Sequence, residues 1–520
     1  MILQRVLNQG IDLGTLFDRA ARRDPVNLLL LDRELASAPG LGRRLTMADA
    51  ADHVDDLAAR LWAAGVRPAE RVVVHQDGGF DIPLLACACA RIGAVPALLS
   101  PSLDGDTVTA LVRRTGRPHL VTDETTLRER LPASIVEDAS QVLLVAGSHE
   151  AATALASFAG APRVSPVAMS PDHPTLITHT SGTTGTPKLA VHTSRTLEAR
   201  FRPQWTAAAL ARGRETVAMH VSFVHSRLFT AAAITLLRGC PLMVLTEEDP
   251  ESVGAMFATF RPGVVEAHPN SLMRWEDLAD HPDRPLSEVK YFSSTFDALH
   301  PRTVQRLLHA SRRRGARFAQ LYGQSEVGPV VGRTYARRHS GEDDGRCVGH
   351  PFPGMTDVRV VSRDGARPSA DNPGYIEVST DGRIVTYLDE QERFEGQVHD
   401  GWWRMGDLGY RTRWGCLHLL DREVDEVPEL GSTLAVEDAL FTAMDDLAEV
   451  VVVSTDRGAV PVVCTKGDTP LDREAWSDAA ATLPSMCEPV QCRLEELPQT
   501  ATTKVKRVEL ARALAGAGGR

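Results

Sequence analysis

Short apolar runs and helical repeats alternate along most of the chain. From residue 10 to about 65 the apolar positions keep helical spacing, with Leu13, Leu16, Phe17 and Ala20 on one face, and the stretch is predicted as helices. Val72-Val73-Val74 reads as a short buried strand, 80–92 as a helix and 95–99 as the next strand. Such a strand–helix–strand unit makes its two strands parallel through a crossover. A second unit covers helix 108–114 and strand 119–122, and a Pro-rich connector at 161–174 leads to the strand Thr175-Leu176-Ile177. Strand character resumes at Leu189-Ala190-Val191. The alternation then repeats through helix 195–212, strand 215–219, helix 231–237, strand 241–245, helix 251–260, strand 263–267, helix 270–279, strand 289–292, helix 301–313 and strand 318–321. From 357 onward the pattern turns β-rich, at 357–361, 374–378 and 402–405. A short α+β module follows, with helix 436–444, strands 448–454 and 460–465, helix 472–482 and a basic tail. The expected fold is α/β: a large N-terminal domain of doubly wound sheets over 1–421, with a β-rich subdomain near 350–421, and a small α+β C-terminal domain over 422–520.

Composition narrows the partners. At 520 residues the chain is too long for one compact core, and 43% apolar with 24% charged residues describes a globular protein. A net charge of −11 argues against nucleic acid as the main partner, because a phosphate backbone is met by basic patches. No run of about 18 apolar residues is present to span a membrane, and the first residues lack a secretory signal's apolar core, so a cytoplasmic location is expected. Eight cysteines without a Cys-x-x-Cys pair read as reduced thiols rather than disulfides or zinc ligands, with Cys87 and Cys89 as packing residues.

Candidate chemistry centres on the loop Thr178-His179-Thr180-Ser181-Gly182-Thr183-Thr184-Gly185-Thr186-Pro187-Lys188. Glycines that let backbone N–H groups approach, hydroxyl donors and a terminal cation are what a polyphosphate needs. The spacing is not that of a P-loop, since Leu189 stands where that motif carries a Ser or Thr for Mg²⁺. Flanking strands and the closing Pro-Lys distinguish it from a flexible Ser/Gly linker.

The loop resembles the phosphate-binding motif of the adenylate-forming superfamily, which includes acyl- and aryl-CoA synthetases, nonribosomal peptide synthetase adenylation domains and luciferases. Three further segments carry the resemblance. Tyr322-Gly323-Gln324-Ser325-Glu326 is similar to the family's aromatic-Gly-x-Thr-Glu motif, with Ser in place of Thr. The resemblance implies that Tyr322 stacks on adenine, that Ser325 bonds the α-phosphate, and that Glu326, with Thr184, helps to hold Mg²⁺. Trp403-Arg404-Met405-Gly406-Asp407 is similar to the segment whose Asp accepts both ribose hydroxyls, which gives Asp407 that role and Arg422 a ribose contact at the start of the hinge. The segment 497–507 matches Pro-x-Thr-x-x-Gly-Lys-x-x-Arg, with Thr503 replacing Gly, and places Lys504 on the lysine that stabilises charge during adenylation; Lys506 is the competing candidate. Thr180, Ser181, Gly182, Thr183, Thr184, Gly185 and Lys188 would cradle the phosphates.

The same resemblance puts His225, Arg227, His268, Thr295, Phe296 and Gly323 around the acid substrate, with His225 as a catalytic gate beside it. Arg227 and the bulk of Phe296 make that pocket short and polar. The hinge reads Asp421-Arg422-Glu423-Val424-Asp425-Glu426-Val427-Pro428, with Val424 and Pro428 replacing the family's acid and lysine. Valine is expected to sit against an apolar surface and proline to stiffen the segment.

The sequence therefore reads as an AMP-forming ligase that uses ATP and Mg²⁺. It would activate a small polar or aromatic acid with release of pyrophosphate and pass it to a nucleophile, CoA or a carrier-protein thiol by family default. The alternatives are an amine acceptor, giving an amide, or nitrite as the activated acid, giving a diazo product without a CoA step. A non-catalytic ATP sensor would not need Lys188, Glu326, Asp407 and Lys504 together.

Overall fold

The computed structural model describes residues 11–180, 186–209, 213–295, 299–337, 345–427, 430–499 and 505–517. Their strands form sheets of fourteen, eight and three strands. The architecture is the expected mixed α/β type, with differences that matter for the site.

In the largest sheet, Leu242–Val244, Val217–His220, Val264–Ala267, Tyr291–Ser294 and Arg317–Gln324 lie parallel. Helices such as Ser226–Arg238, Pro250–Phe260 and Pro301–Ala310 connect them. Because neighbouring strands run the same way, the residues just past their C-terminal ends share one rim, where open α/β sheets gather their ligands. Glu266, His268, Thr295 and Ser325 all come from that rim. One expectation fails here. Leu28–Leu31, inside the stretch read as helical, is a strand pairing with Leu242–Val244. Four consecutive leucines carry no period, and length alone separates a buried strand from a buried helix there.

The eight-stranded sheet contains the phosphate-loop candidate as the connection of an antiparallel pair, Pro174–His179 and Leu189–Thr193. Its edge is supplied from far along the chain: Thr386 pairs with Val191 and Tyr387 with Ala190.

The β-rich part is antiparallel as expected, yet it is not a separate sheet. Val331 pairs with Pro351 and Gly332 with His350, which continues the largest sheet into it. Tyr322, Gly323 and Gln324, beyond the expected strand 318–321, end the strand Arg317–Gln324. That strand hairpins with Gly328–Ala336, and its register shifts between Tyr322 and Gly323. Gly323 is required there, because any side chain would collide with the Gly328 carbonyl. Cys347 and Cys416 form a disulfide, which corrects the expectation of eight reduced thiols. Pairing of Cys347–Pro351 with Leu417–Arg422 brings together two cysteines 69 residues apart, and no local spacing reveals that. Cys87 and Cys89 are buried free thiols in the helix Asp81–Arg91, as read.

The three-stranded sheet joins Leu447–Thr455, Gly458–Thr465 and the short Val490–Gln491. Against it lies the helix Thr433–Ala443, whose Glu437 takes a bidentate contact from Arg507 at 2.6 and 2.8 Å. Among the described residues no helix is long and apolar enough to cross a membrane.

Asp421, 4% exposed, accepts hydrogen bonds from the Thr433 amide and hydroxyl at the start of that helix. Burial raises its carboxyl to about 7, against the lowering effect of the Thr433 bonds. The folded state therefore holds this proton more tightly than the unfolded chain, in which an Asp titrates near 3.9. The stabilisation this gives is complete below about pH 4 and is lost as pH rises through about 7. Asp421→Asn should remove that dependence: the melting temperature of the variant relative to the parent is expected to climb from pH 5 to pH 7.5 and then level. A difference constant across that range would contradict the raised carboxyl.

Candidate active site

The loop candidate is closed at its base by its own ends. The Thr180 amide donates to the Lys188 carbonyl at 2.9 Å, and the Lys188 amide to the Thr180 hydroxyl at 3.1 Å. This pairing continues the hairpin ladder past His179 and Leu189. Ser181, Gly182, Thr183, Thr184 and Gly185 lie outside the described residues, as do Phe296, Pro428 and Lys504.

Lys188 meets Glu326 through a tyrosine. Its Nζ donates to the Tyr387 hydroxyl at 3.0 Å and lies 3.5 Å from Glu326 Oε1, while the Tyr387 hydroxyl donates to the same oxygen at 2.5 Å. Burial and the adjacent Glu326 charge push the Tyr387 phenol well up, so it stays a donor. Sequence reading missed Tyr387. No motif marks it, and only the long-range pairing of Thr386–Tyr387 with Leu189–Thr193 delivers it.

A second group forms across the hairpin of Trp402–Arg411 and Leu417–Arg422, whose register sets Asp407 opposite Arg422. Arg422 Nε lies 3.6 Å from Asp407 Oδ1, and the Tyr322 hydroxyl donates to Asp407 Oδ2 at 2.5 Å. Three residues singled out separately in the sequence thus meet at one carboxylate. The next hinge residues are held from the β-rich part: Arg404 grips Glu423 at 2.9 and 2.7 Å, and Arg363 grips Glu426 at 2.8 and 3.1 Å. Val424 is 57% exposed, which corrects the expectation that it packs on an apolar surface. The segment is held instead by its acids, Glu423 on Arg404 and Glu426 on Arg363, and the valine between them is left at the surface.

His225 caps the helix Ser226–Arg238, its Nδ1 accepting from the Arg227 amide at 3.1 Å. The proton of the neutral ring therefore sits on Nε2, 3.1 Å from the Ser325 hydroxyl. Burial first, and then the Arg200 charge, pull its basicity down to about 3, so at neutral pH it is a neutral donor. His268, another candidate, is buried with its Nε2 accepting from the Ser222 amide at 2.9 Å and is not on the cavity lining.

Arg227 and Glu266 form a buried pair, 6% exposed each, with Nε and Nη2 on the two carboxylate oxygens at 2.5 and 2.7 Å. Removing one partner of such a pair strands a charge in low dielectric and costs roughly 3–5 kcal/mol. Glu266 was not foreseen, since inside a β run it looks like a solvent-facing position.

Arg200, also missed, joins these groups. It is 2% exposed and donates to Ser226 Oγ at 2.8 Å and to the carbonyls of Gly382, Ser325 and Glu326 at 2.7, 3.0 and 2.9 Å. Burial lowers its guanidinium to about 9, partly opposed by Glu326, and leaves it charged at neutral pH. Its place within a helical stretch gave no signal, because a lone arginine there reads as a surface residue.

One cavity of about 890 Å³ extends from Thr180 and Lys188 past Tyr322 and Asp407 to Arg227 and Thr295, with Arg200, His225, Ser325, Glu326, Tyr387 and Arg422 also on its lining, while Glu266 and His268 are not on it. Such a volume holds a nucleotide-sized ligand and a small second molecule.

The family model described as AMP-binding enzyme matches residues 17–388. The chain is similar to a 3-amino-2-hydroxy-4-methoxybenzoate diazotase of Streptomyces cremeus, 46% identical over 99% of this chain and 98% of the relative. It is also similar to a 3-aminoavenalumate diazotase of a Streptomyces species, at 26% identity over 89% of this chain and 88% of that one. Among solved structures, ATP-bound MatB from Rhodopseudomonas palustris superposes with a TM-score of 0.79 at 20% identity, covering 96% of this chain and 98% of its own. The chain belongs to the AMP-binding enzyme family, and it is an adenylate-forming ligase that works with ATP and Mg²⁺.

Proposed function

We propose that this ligase is a diazotase: it activates nitrite rather than a carboxylic acid and passes the nitroso group to an aromatic amine. The end-to-end 46% identity to a diazotase carries this reading. The acid end of the cavity agrees with it. A long acyl chain would have to lie against the charged Arg227–Glu266 pair and the Thr295 hydroxyl, whereas a small polar aromatic meets partners there.

A nitrite oxygen attacks the α-phosphorus, pyrophosphate leaves, and a mixed nitrous–AMP anhydride forms. The amine lone pair attacks the nitroso nitrogen, and AMP departs with the N–O bonding pair. The amine loses a proton, and the N-nitroso product tautomerises to the diazohydroxide, which takes up a proton and loses water to give the diazonium. No external oxidant or reductant is needed, because the new N–N bond lowers the formal oxidation state of the nitrite nitrogen as it raises that of the amine nitrogen.

Within this scheme Thr180, Lys188 and the loop 181–185 receive the phosphates, Asp407 and Arg422 the ribose, and Tyr322 the adenine. Glu326 fits Mg²⁺ as a buried hard-oxygen ligand, with Thr184 as its proposed companion; bound there, the ion would offset phosphate charge. His225, neutral with its proton aimed at Ser325, acts as a hydrogen-bond donor beside the reacting anion rather than as a base. Lys504 is proposed to stabilise the charge that develops on the α-phosphate. Lys506 is otherwise engaged, its Nζ paired with Glu509 at 3.2 Å. CoA is expected to be a poor acceptor, because swinging the small C-terminal part would break the Arg363–Glu426 contact and move the Thr433 anchor off Asp421. Exposed pairs contribute only about 0–1 kcal/mol each, so this biases the motion without forbidding it.

Pyrophosphate release should depend on nitrite, and with an aminohydroxybenzoate present a diazo chromophore should form while added CoA gives no thioester. Rapid acyl-CoA formation from a carboxylic acid, with no response to nitrite, would return the enzyme to the acid–thiol ligases. Lys504→Ala is expected to slow pyrophosphate release at least about 100-fold, a loss of ~3 kcal/mol in transition-state stabilisation, with ATP binding retained in calorimetry. An active Lys504→Ala beside a dead Lys506→Ala would reverse the assignment. Glu326→Gln should raise the Mg²⁺ concentration needed for half-maximal rate severalfold; an unchanged Mg²⁺ titration would remove Glu326 from the ion.

A further inference from the structure

Arg227 holds Glu266 through Nε and Nη2 only. Its second terminal nitrogen, Nη1, is buried and has no hydrogen-bond partner among the described residues, although the side chain borders the cavity. On the same lining, Thr295 Oγ1, just past the strand that pairs with the one carrying Glu266, is likewise buried without a partner among them. Buried donors are costly to leave unsatisfied, so native proteins rarely keep them without a water, an ion or a ligand to complete them.

The other cations of the cavity are committed. Lys188 serves Tyr387 and Glu326, Arg200 makes four hydrogen bonds, and Arg422 and Arg404 attend Asp407 and Glu423. Of these described cations, Arg227 is the one that keeps a terminal nitrogen without a hydrogen-bond partner. The fork is already turned by Glu266, so Nη1 offers its hydrogens in a fixed direction, and a guanidinium edge matches an oxygen anion better than an ammonium does. In a ligase that activates nitrite, any carboxylate on the amine partner is not consumed by the chemistry and needs a cation inside the cavity. Glu266 stands on the far side of the guanidinium, so a carboxylate at Nη1 meets the cation first and the anion at longer range.

We propose that Arg227 Nη1 and Thr295 Oγ1 form a recognition site for the carboxylate of an aminoaryl acid, which makes Arg227 the residue that selects ring acids among amine acceptors. The proposal rests on the diazotase reading for the identity of its ligand, and it is tested by binding, which needs no turnover. Calorimetry with AMP present compares 3-amino-2-hydroxybenzoate with 2-aminophenol, the same amine and hydroxyl without the carboxylate. The enzyme is expected to bind the acid at least about 30-fold tighter, the scale of one charge-assisted contact. Since Arg227→Met alone strands Glu266, the variant used is Arg227→Met with Glu266→Gln, which keeps the pair's site neutral, and its melting curve reports folding. In it the preference should fall to within about threefold of unity, with aminophenol affinity little changed. Thr295→Val, a single change away from the ion pair, should lower the preference by a smaller factor. Equal affinity of the unmodified enzyme for acid and phenol, or a preference that survives in the double variant, overturns the proposal. Nitrite-dependent pyrophosphate release is measured in parallel on the unmodified enzyme. Its absence would remove the diazotase reading while leaving the binding preference to decide Arg227 separately.

Discussion

One buried guanidinium ties the site together. Arg200 reaches out of its helix into a place where water is excluded, and every donor it spends there goes to a segment of different origin. Ser226 begins the helix that carries Arg227, the Ser325 and Glu326 carbonyls belong to the turn after the strand Arg317–Gln324, and Gly382 lies ahead of the strand that brings in Tyr387. The cation is tolerated because four acceptors replace its hydration, and Glu326 keeps its charge favourable. In return the carboxylate of Glu326, the hydroxyl of Ser325 and the imidazole of His225 are fixed relative to one another before any ligand arrives. A site built this way pays its ordering cost during folding rather than at each turnover.

The cavity divides by chemistry. At one end hydroxyls, a lysine and carboxylates are arranged around Lys188, Glu326 and Asp407, a set suited to phosphate, metal and ribose. At the other end the buried ion pair of Arg227 and Glu266 and a neutral histidine take over. His225 stands between the two. Because burial strips its basicity, it can pass a hydrogen bond to an anion on either side without ever pairing with it as a cation.

Much of this was legible in the sequence where chemistry depends on neighbours in the chain. The candidate phosphate loop, the Tyr322–Glu326 segment and the segments around Asp407 and His225 are each local motifs, and the parallel strands that end near Glu266, Thr295 and Ser325 follow from alternating helical and strand periods. What escaped was long-range. Tyr387 reaches Lys188 from 199 residues away, Glu266 hides its charge inside a β run, and Cys347 meets Cys416 only because two strands pair. Leu28–Leu31 failed for a different reason, an apolar run with no period to read. The expected packing of Val424 failed because a residue type says which environment it prefers and not which one its neighbours leave open.

The position of Tyr387 also constrains how the protein comes into being. The hairpin Pro174–His179 and Leu189–Thr193 lacks its outer strand until Thr386–Tyr387 arrives. On a ribosome adding about 5–20 residues per second, the nascent chain spends on the order of ten seconds or more with Lys188 already made and its tyrosine still to come. Contacts of such sequence separation form late and slow folding. An exposed strand edge beside a lysine-bearing loop is thus a vulnerable intermediate, open to wrong pairing, and the charged Lys188 at its start is a natural guard against that. A chain truncated between residues 189 and 386 would own every residue of the candidate phosphate loop and still present it on an unfinished sheet.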